Sequence, residues 1–238
     1  MRIAGSVALV TGGGRGFGLA MAEELQARGA KKVYVGVRNP ADVSHAGVEA
    51  VEVDVTDTAS VSAAAAECDD VTLLVNNAGT GALHEEGTLD PDLVKSMERV
   101  FDVNVYGTAR SAQAFAPVIL RNGGGAIVNV VSDQAWYARP ILSAYAVSKA
   151  AVWNFTNALR LDLRPKGVEV LSLHVGFMDT ELVRGLDVPK NDPHQVAGAT
   201  LDALEQGAQE VLVDEQSRLV KRSLSTDAGY YLDPPALG

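Results

Sequence analysis

Short apolar runs alternate with helix-patterned stretches along this chain, and that alternation leaves few architectures open. Val7 to Val10 is one such run, ending in Thr11 and a glycine cluster. Leu19, Ala20, Ala22, Glu23, Leu25 and Ala27 then read as a helix closed by Gly29. Further runs follow at Val33 to Val37, Val51 to Val53, Val71 to Val75, Ala126 to Val131, Val168 to Leu173 and Glu210 to Val213. Between them lie an alanine-rich helix after Asp57 and a long helical stretch from about Asp92 to Leu120, with a break near Asn104 to Gly107. Two more helices read from Ser143 to Arg164 and from Asp192 to Glu205. Strands that are apolar throughout are covered on both faces, so the pattern predicts an α/β fold built on a doubly wound parallel sheet of about seven strands. Ligands on such sheets sit at the carboxyl ends of the strands, which directs attention to the loops after Val10, Val37, Val53, Val75, Val131 and Leu173.

A chain of 238 residues is short enough for one hydrophobic core, so residues 1–238 are expected to form a single domain. Its formal charge of −10 argues against a nucleic-acid partner or an anionic membrane surface. Every apolar run falls short of the roughly 18–20 residues that a membrane span needs. The lone Cys68 forms no internal disulfide and the start from Met1 shows no secretory leader, so a cytoplasmic location is expected. The Leu237-Gly238 end carries no lipidation or retention signal, and Tyr230-Tyr231-Leu232 is placed to dock on a neighbouring surface. Histidines at 45, 84, 174 and 194 show no metal-ligand spacing, and no metal is expected.

Thr11-Gly12-Gly13-Gly14-Arg15-Gly16-Phe17-Gly18 joins the first strand to the first helix. Backbone amides and the helix dipole at such a turn favour a pyrophosphate, and glycines let the backbone approach it. Leu19 and Ala20 stand where a P-loop needs Lys and Ser or Thr, so an ATPase reading fails. On the predicted long helix, Tyr145 and Lys149 are four residues apart and therefore share one face. A phenol needs nearby positive charge to exchange protons near neutrality, and Lys149 can supply it. Taken alone, the pair could equally be a surface Tyr and Lys with no shared task.

The glycine spacing, Asn76-Asn77-Ala78-Gly79 after the fourth strand, Ser132 thirteen residues before Tyr145, and Tyr145-Ala146-Val147-Ser148-Lys149 together resemble the short-chain dehydrogenase/reductase family. The resemblance runs from about Val7 to Val213 and implies a Rossmann-like sheet with helices on both faces. It implies Tyr145 as proton donor or acceptor, Ser132 as partner of the carbonyl oxygen, and Lys149 as activator of Tyr145 and ribose ligand. Asn104 would hold the water of a proton relay. The cofactor would meet Gly12, Gly14, Arg15, Gly16, Phe17, Gly18, Asp54, Val55, Asn77, Ala78, Gly79, Tyr145, Lys149, Gly176 and Thr180. Val175 stands where the family usually has proline, which frees the local backbone and predicts a less rigid loop beside the nicotinamide.

Enzymes that prefer NAD place an acid at the end of the second strand to bond the ribose 2′-hydroxyl. Here Gly36-Val37-Arg38 lacks one, and Arg38 with Arg15 offers a two-armed clamp for a 2′-phosphate, so NADP(H) is the expected cofactor. By family position Gln134, Trp136, Leu142 and Phe177 line a pocket whose mostly apolar character suits a small hydrophobic ketone or aldehyde and its alcohol. Trp136 could instead be a loop aromatic packed on its own domain or a neighbouring subunit. The short segment from Glu181 to Asp192 predicts an open site. An NADP-binding sensor without chemistry typically loses the Tyr or Lys, and the related dehalogenases have Arg in place of Lys149; neither departure is present. A hydrolase built on Ser132 and His174 lacks the nucleophile elbow. Relatives pair two long helices across dimer axes, so a homodimer or homotetramer is expected, with Ala112, Phe115, Ala116, Val152, Phe155 and Leu159 as apolar surface or as packing against the chain's own sheet.

Overall fold

The structure, a computed structural model, describes residues 1–235; the Leu237-Gly238 end lies outside the described residues. Seven strands form one parallel sheet: β1 (Val7–Thr11), β2 (Lys32–Val37), β3 (Glu49–Glu52), β4 (Leu73–Asn76), β5 (Gly125–Val130), β6 (Val168–His174) and β7 (Glu210–Leu212). Their spatial order is β3-β2-β1-β4-β5-β6-β7. The chain winds one way from β1 to β3, then returns to place β4 on the other side of β1. The loops after β1 and β4 therefore diverge at the carboxyl end of the sheet and leave a crevice there.

Alternate residues on each strand feed two separate cores. Ala8 and Val10 of β1, with Leu171 and Leu173 of β6, face α1 (Gly16–Ala27) and α6 (Pro193–Glu205), where Met21, Leu25, Val196 and Leu201 meet them. Val7 and Leu9 point to the other face, with Val61 of α2 (Thr58–Glu67), Phe115 and Ile119 of α4 (Gly107–Arg121) and Leu163 of α5 (Ser143–Leu163). The period of two within each strand and the cover on both sides explain why the central strands β1 and β4 are buried along their length, while the edge strand β3 exposes Glu49 and Glu52.

Two features differ from the sequence expectation. The break near Asn104 is a widened π-helical turn, Asp102–Tyr106, that joins α3 (Leu93–Phe101) to α4 without interrupting the helix. An additional helix, α7 (Glu215–Ser223), follows β7. It is capped by Asp214, whose Oδ1 accepts from the Ser217 amide at 2.8 Å, and it opens a third, smaller core with Val131, Trp136, Tyr137, Val152 and Val220. Ala112, Phe115, Ala116 and Val152 are buried against the chain's own sheet and helices, and Phe155 and Leu159 pack on the same core. Among the described residues, no helix is long and apolar enough to cross a membrane.

Candidate active site

The glycine turn is shaped from both sides. Gly12 and Gly16 have φ of 64° and 55°, the left-handed region open to glycine. A Cβ on Gly18 would stand 2.3 Å from the Gly12 oxygen, so helix α1 starts in contact with the turn's own backbone. Asn77 secures the arrangement by donating from Nδ2 to the carbonyls of Thr11 at 2.9 Å and Gly12 at 3.1 Å. The Thr11 hydroxyl accepts from the amides of Asn77 and Ala78 and donates to the Val75 carbonyl. These bonds cross the crevice at its base and tie the loop after β4 to the loop after β1. No side chain caps the start of α1, which leaves its first amides to an anionic ligand.

Of the other expected cofactor residues, Phe17 and Val55 are buried in the two main cores. Asp54 binds Thr56 through its amide and hydroxyl, at 2.9 and 2.7 Å, and those bonds, helped by Arg38 and Arg110, hold its carboxyl below the usual range. Arg38 is exposed at the end of β2. Arg15 is also exposed, but its guanidinium pairs with Glu181 at 2.7 Å across the mouth of the crevice. Thr180 packs against Gly16, with its Cγ2 3.5 Å from where a Cβ would be.

Ser132, Tyr145, Lys149 and Asn104 converge at the carboxyl ends of β4 and β5. Ser132 follows β5, and its Oγ accepts from the Gln134 amide at 3.1 Å and donates to Asp133 Oδ1 at 3.0 Å, with the Val175 carbonyl at 3.4 Å. Lys149, one turn along α5 from Tyr145, is 5% exposed and donates from Nζ to the Val130 carbonyl at 2.8 Å. Its ammonium lies 5.5 Å from the Tyr145 ring centroid. Burial lowers the Lys149 pKa to about 8. Burial raises that of the Tyr145 phenol, against the Ser132 hydroxyl within hydrogen-bonding reach, while the Asp133 charge raises it further. An acid with a high pKa thus stands beside a cation of lowered pKa, an arrangement in which a proton can be held or released according to what binds between them.

Asn104 turns inward at the π-helical turn. Its Oδ1 accepts from the Thr80 amide at 2.8 Å, and its Nδ2 donates to the Thr80 carbonyl and the Ser148 hydroxyl, both at 2.9 Å. The side chain is thereby committed to joining the loop after β4 to α5. Its backbone carbonyl accepts from the Thr108 hydroxyl at 2.7 Å. Gly79 lies against both groups: a Cβ there would be 3.5 Å from Asn104 Oδ1 and 3.9 Å from Lys149 Nζ.

The four expected pocket residues divide. Leu142 sits in a single turn before α5, and Phe177 lies partly buried in the loop after β6. Gln134 is buried with its Oε1 unpartnered. Trp136 packs on its own domain: its ring stacks on His174 at 4.0 Å between centroids and 12° between planes, meets Trp153 edge-on, and lies 5.4 Å from the Lys221 ammonium. That stack covers one face of the ring and packs Trp136 on its own domain. The loop beside Phe177 is held more firmly than Val175 alone would suggest, because Asp214 Oδ2 accepts from the Gly176 amide at 2.7 Å and from Asn191 Nδ2 at 2.8 Å.

Asp133, Asp214, Gln216 and Glu181 touch the site and were not singled out from sequence. Asp214 carried a readable signal, an Asp before Glu215 with Lys221 and Arg222 at the far end of the segment, which is the charge pattern of a capped helix.

Comparison with known proteins agrees with this geometry. The family model of short chain dehydrogenases matches residues 6–190. The chain is 33% identical to the galactitol 2-dehydrogenase of Agrobacterium fabrum over 195 residues, 76% of this chain and 73% of that protein. A short chain dehydrogenase from Burkholderia cenocepacia J2315, solved in complex with NADP, superposes with a TM-score of 0.90 at 38% identity over 95% of both chains. One from Burkholderia phymatum, solved with NAD, superposes with a TM-score of 0.83 at 28% identity over 100% of both.

Proposed function

Because the chain belongs to the short-chain dehydrogenase family, whose members are oxidoreductases of alcohol and ketone groups, we propose that it is an NADP(H)-dependent reductase interconverting a small carbonyl compound and its alcohol, with Tyr145 as acid and base. The observation that carries this reading is the convergence of Tyr145, Lys149, Ser132 and Asn104 beside a glycine turn with free helix amides. When bound, the nicotinamide supplies or takes up the hydride.

In carbonyl reduction Tyr145 gives its phenolic proton to the substrate oxygen, and Ser132 hydrogen-bonds the same oxygen. Lys149, anchored on the Val130 carbonyl, places a positive charge against the phenolate that results. Asn104, turned inward at the π-helical turn, is placed to hold the water that returns the proton. Replacing Tyr145 by phenylalanine should leave NADPH binding intact and remove turnover at least 100-fold, in line with ~10²–10⁴ for a general acid. Near-normal turnover in that variant would refute the assignment.

The preference for NADP(H) rests on Arg38, which stands at the end of β2 where an NAD enzyme carries an acid. The Burkholderia cenocepacia relative bound to NADP supports it. Comparable Kd values for NADPH and NADH would sink this preference. For the substrate, Leu142 and Phe177 favour a hydrophobic ketone or aldehyde. A polyhydroxylated substrate is the second reading, favoured by the buried, unpartnered Gln134 Oε1 and by the galactitol 2-dehydrogenase relative. NADPH consumption against hydrophobic carbonyls, and NADP reduction against polyols, separates the two. We further take the protein to be a homodimer or homotetramer; Tyr106, Val147 and Leu161, exposed on or beside the two long helices, offer apolar surface for an interface, next to the partly buried Phe155 and Leu159. Sedimentation at micromolar concentration tests this.

A further inference from the structure

A second acid lies directly under the Ser132 hydroxyl, and the scheme above does not use it. Asp133 is 1% exposed. Its Oδ1 accepts from Ser132 Oγ at 3.0 Å, and its Oδ2 accepts from the Tyr137 hydroxyl at 3.1 Å and from Gln216 Nε2 at 2.8 Å. All three donors are neutral. Gln216 also donates to the Tyr137 hydroxyl at 2.9 Å, so the three side chains form a closed bracket between the loop after β5 and helix α7.

The bracket matters because a serine hydroxyl has one proton and two lone pairs. The Gln134 amide takes one lone pair of Ser132. With Asp133 ionised, the one proton goes to the carboxylate, and Ser132 turns only a lone pair toward a ligand. A carbonyl oxygen can only accept, so an ionised Asp133 competes with it directly. With Asp133 protonated, the acid can donate to Ser132 Oγ, and the serine proton is left to a substrate oxygen, against only the long contact to the Val175 carbonyl at 3.4 Å.

We propose that Asp133 is a positioning residue for the reaction, holding the Ser132 proton when ionised and releasing it to the substrate oxygen when protonated. The inference rests on the reductase reading. Groups facing Asp133 from the surrounding elements are Tyr137 on its own loop, Gln216 and Asp214 from α7 and its cap, Tyr145 on α5, His174 on β6 and Tyr230 in the tail. Burial raises its pKa and the Asp214 charge adds to that, against the bonds from Gln216, Ser132 and Tyr137. Both carboxylates flank Gly176: a Cβ there would lie 3.2 Å from Asp214 Oδ2 and 3.6 Å from Asp133 Oδ2. The start of α7 therefore holds the acceptor of the Ser132 proton with Gln216 and the loop after β6 with Asp214.

The test is the pH profile of kcat/KM for carbonyl reduction in wild type, Asp133→Asn, Gln216→Leu and Tyr145→Phe, beside an infrared titration of the ligand-free protein that follows the carbonyl stretch of protonated carboxyls. Wild type should lose about tenfold in kcat/KM as Asp133 ionises, the margin between a neutral and a charge-assisted hydrogen bond. Asp133→Asn should lack that step and one infrared band while keeping its melting temperature and NADPH affinity. Gln216→Leu, which removes a donor to the carboxylate, should move both the step and the band to higher pH. A step or band retained in Asp133→Asn overturns the proposal, as does Gln216→Leu leaving them in place, and the second variant decides the matter if the first does not fold. Turnover surviving in Tyr145→Phe would instead strike the reductase reading, whatever the infrared band does.

Discussion

Replacing Lys149 by methionine should stabilise the protein while abolishing its turnover. The ammonium is almost wholly buried, and its one protein acceptor is the Val130 carbonyl at 2.8 Å. Burial lowers its pKa from 10.5 to about 8. At about 1.4 kcal/mol per pKa unit, keeping it charged inside the fold costs about 3 kcal/mol. Methionine is similarly long and unbranched and carries no charge, but it gives up the charge-assisted bond to Val130, worth about 1.5–3 kcal/mol. The net gain is up to about 1.5 kcal/mol, or up to about 5 °C in Tm for a chain of this size. The sign of the pH dependence follows from proton counting. Between pH 8 and 10.5 the unfolded chain holds a proton on Lys149 that the folded chain has lost, so wild-type stability rises with pH across that window. The burial cost is complete below pH 8 and gone above 10.5. Urea unfolding of both proteins at pH 7 and pH 10 should therefore show the variant ahead at pH 7, with the advantage shrinking or reversing at pH 10. A variant less stable than wild type at pH 7, or a difference that does not change with pH, would refute the reasoning.

Gly18→Ala forces a Cβ to within 2.3 Å of the Gly12 oxygen, so it should cost about 1–3 kcal/mol in urea unfolding and weaken NADPH binding by more than tenfold in a fluorescence titration. Glu181→Gln frees the Arg15 guanidinium from its ion pair and should tighten NADPH severalfold without changing NADH; equal effects on both would show that Arg15 does not meet the 2′-phosphate. His174 is fully buried, and burial lowers its pKa from 6.5 to about 4, against the bond to the Ser132 carbonyl. The unfolded chain takes up the proton first, so stability is lost as pH falls from 6.5 to 4, and His174→Phe should flatten that slope by about 3 kcal/mol over the window in acid unfolding curves.

The sheet was legible because its central strands are apolar on both faces, as with Leu73 and Val75 toward one core and Leu74 toward the other. The candidate set was legible because its spacings combine helix and strand geometry: Tyr145 and Lys149 share a helix face, and Ser132 follows a strand. Less legible was the way Asn104 is presented. A run of residues shows where helical periodicity slips, but a π-helical turn and a true break produce the same slip, and only the backbone bonds distinguish them. Helix α7 escaped for a different reason: in Glu215–Ser223 only Ser217 and Val220 are buried, so there is almost no apolar period to find. Trp136 was ambiguous in principle, since a loop aromatic beside Ser132 can face a ligand or its own core, and its stack on His174 is a contact between a loop and the end of β6 that no spacing in the sequence reveals.

Helix α7 also accounts for the missing proline. Proline at position 175 would fix the backbone of the loop after β6 through its ring. Here Val175 is buried in the core instead, and its carbonyl accepts from the Asp133 amide at 3.2 Å. The next residue, Gly176, is held by Asp214, and Asn191 joins Asp214 to the Phe177 carbonyl. Rigidity that a ring would supply locally is supplied at a distance by a helix cap, and the same segment reaches Ser132 through Gln216 and Asp133. The loop on one side of the reaction centre and the serine on the other are thereby referred to one frame. A short polar helix that the sheet does not need thus has a reason to sit at the carboxyl end of β6, where the fold places its chemistry.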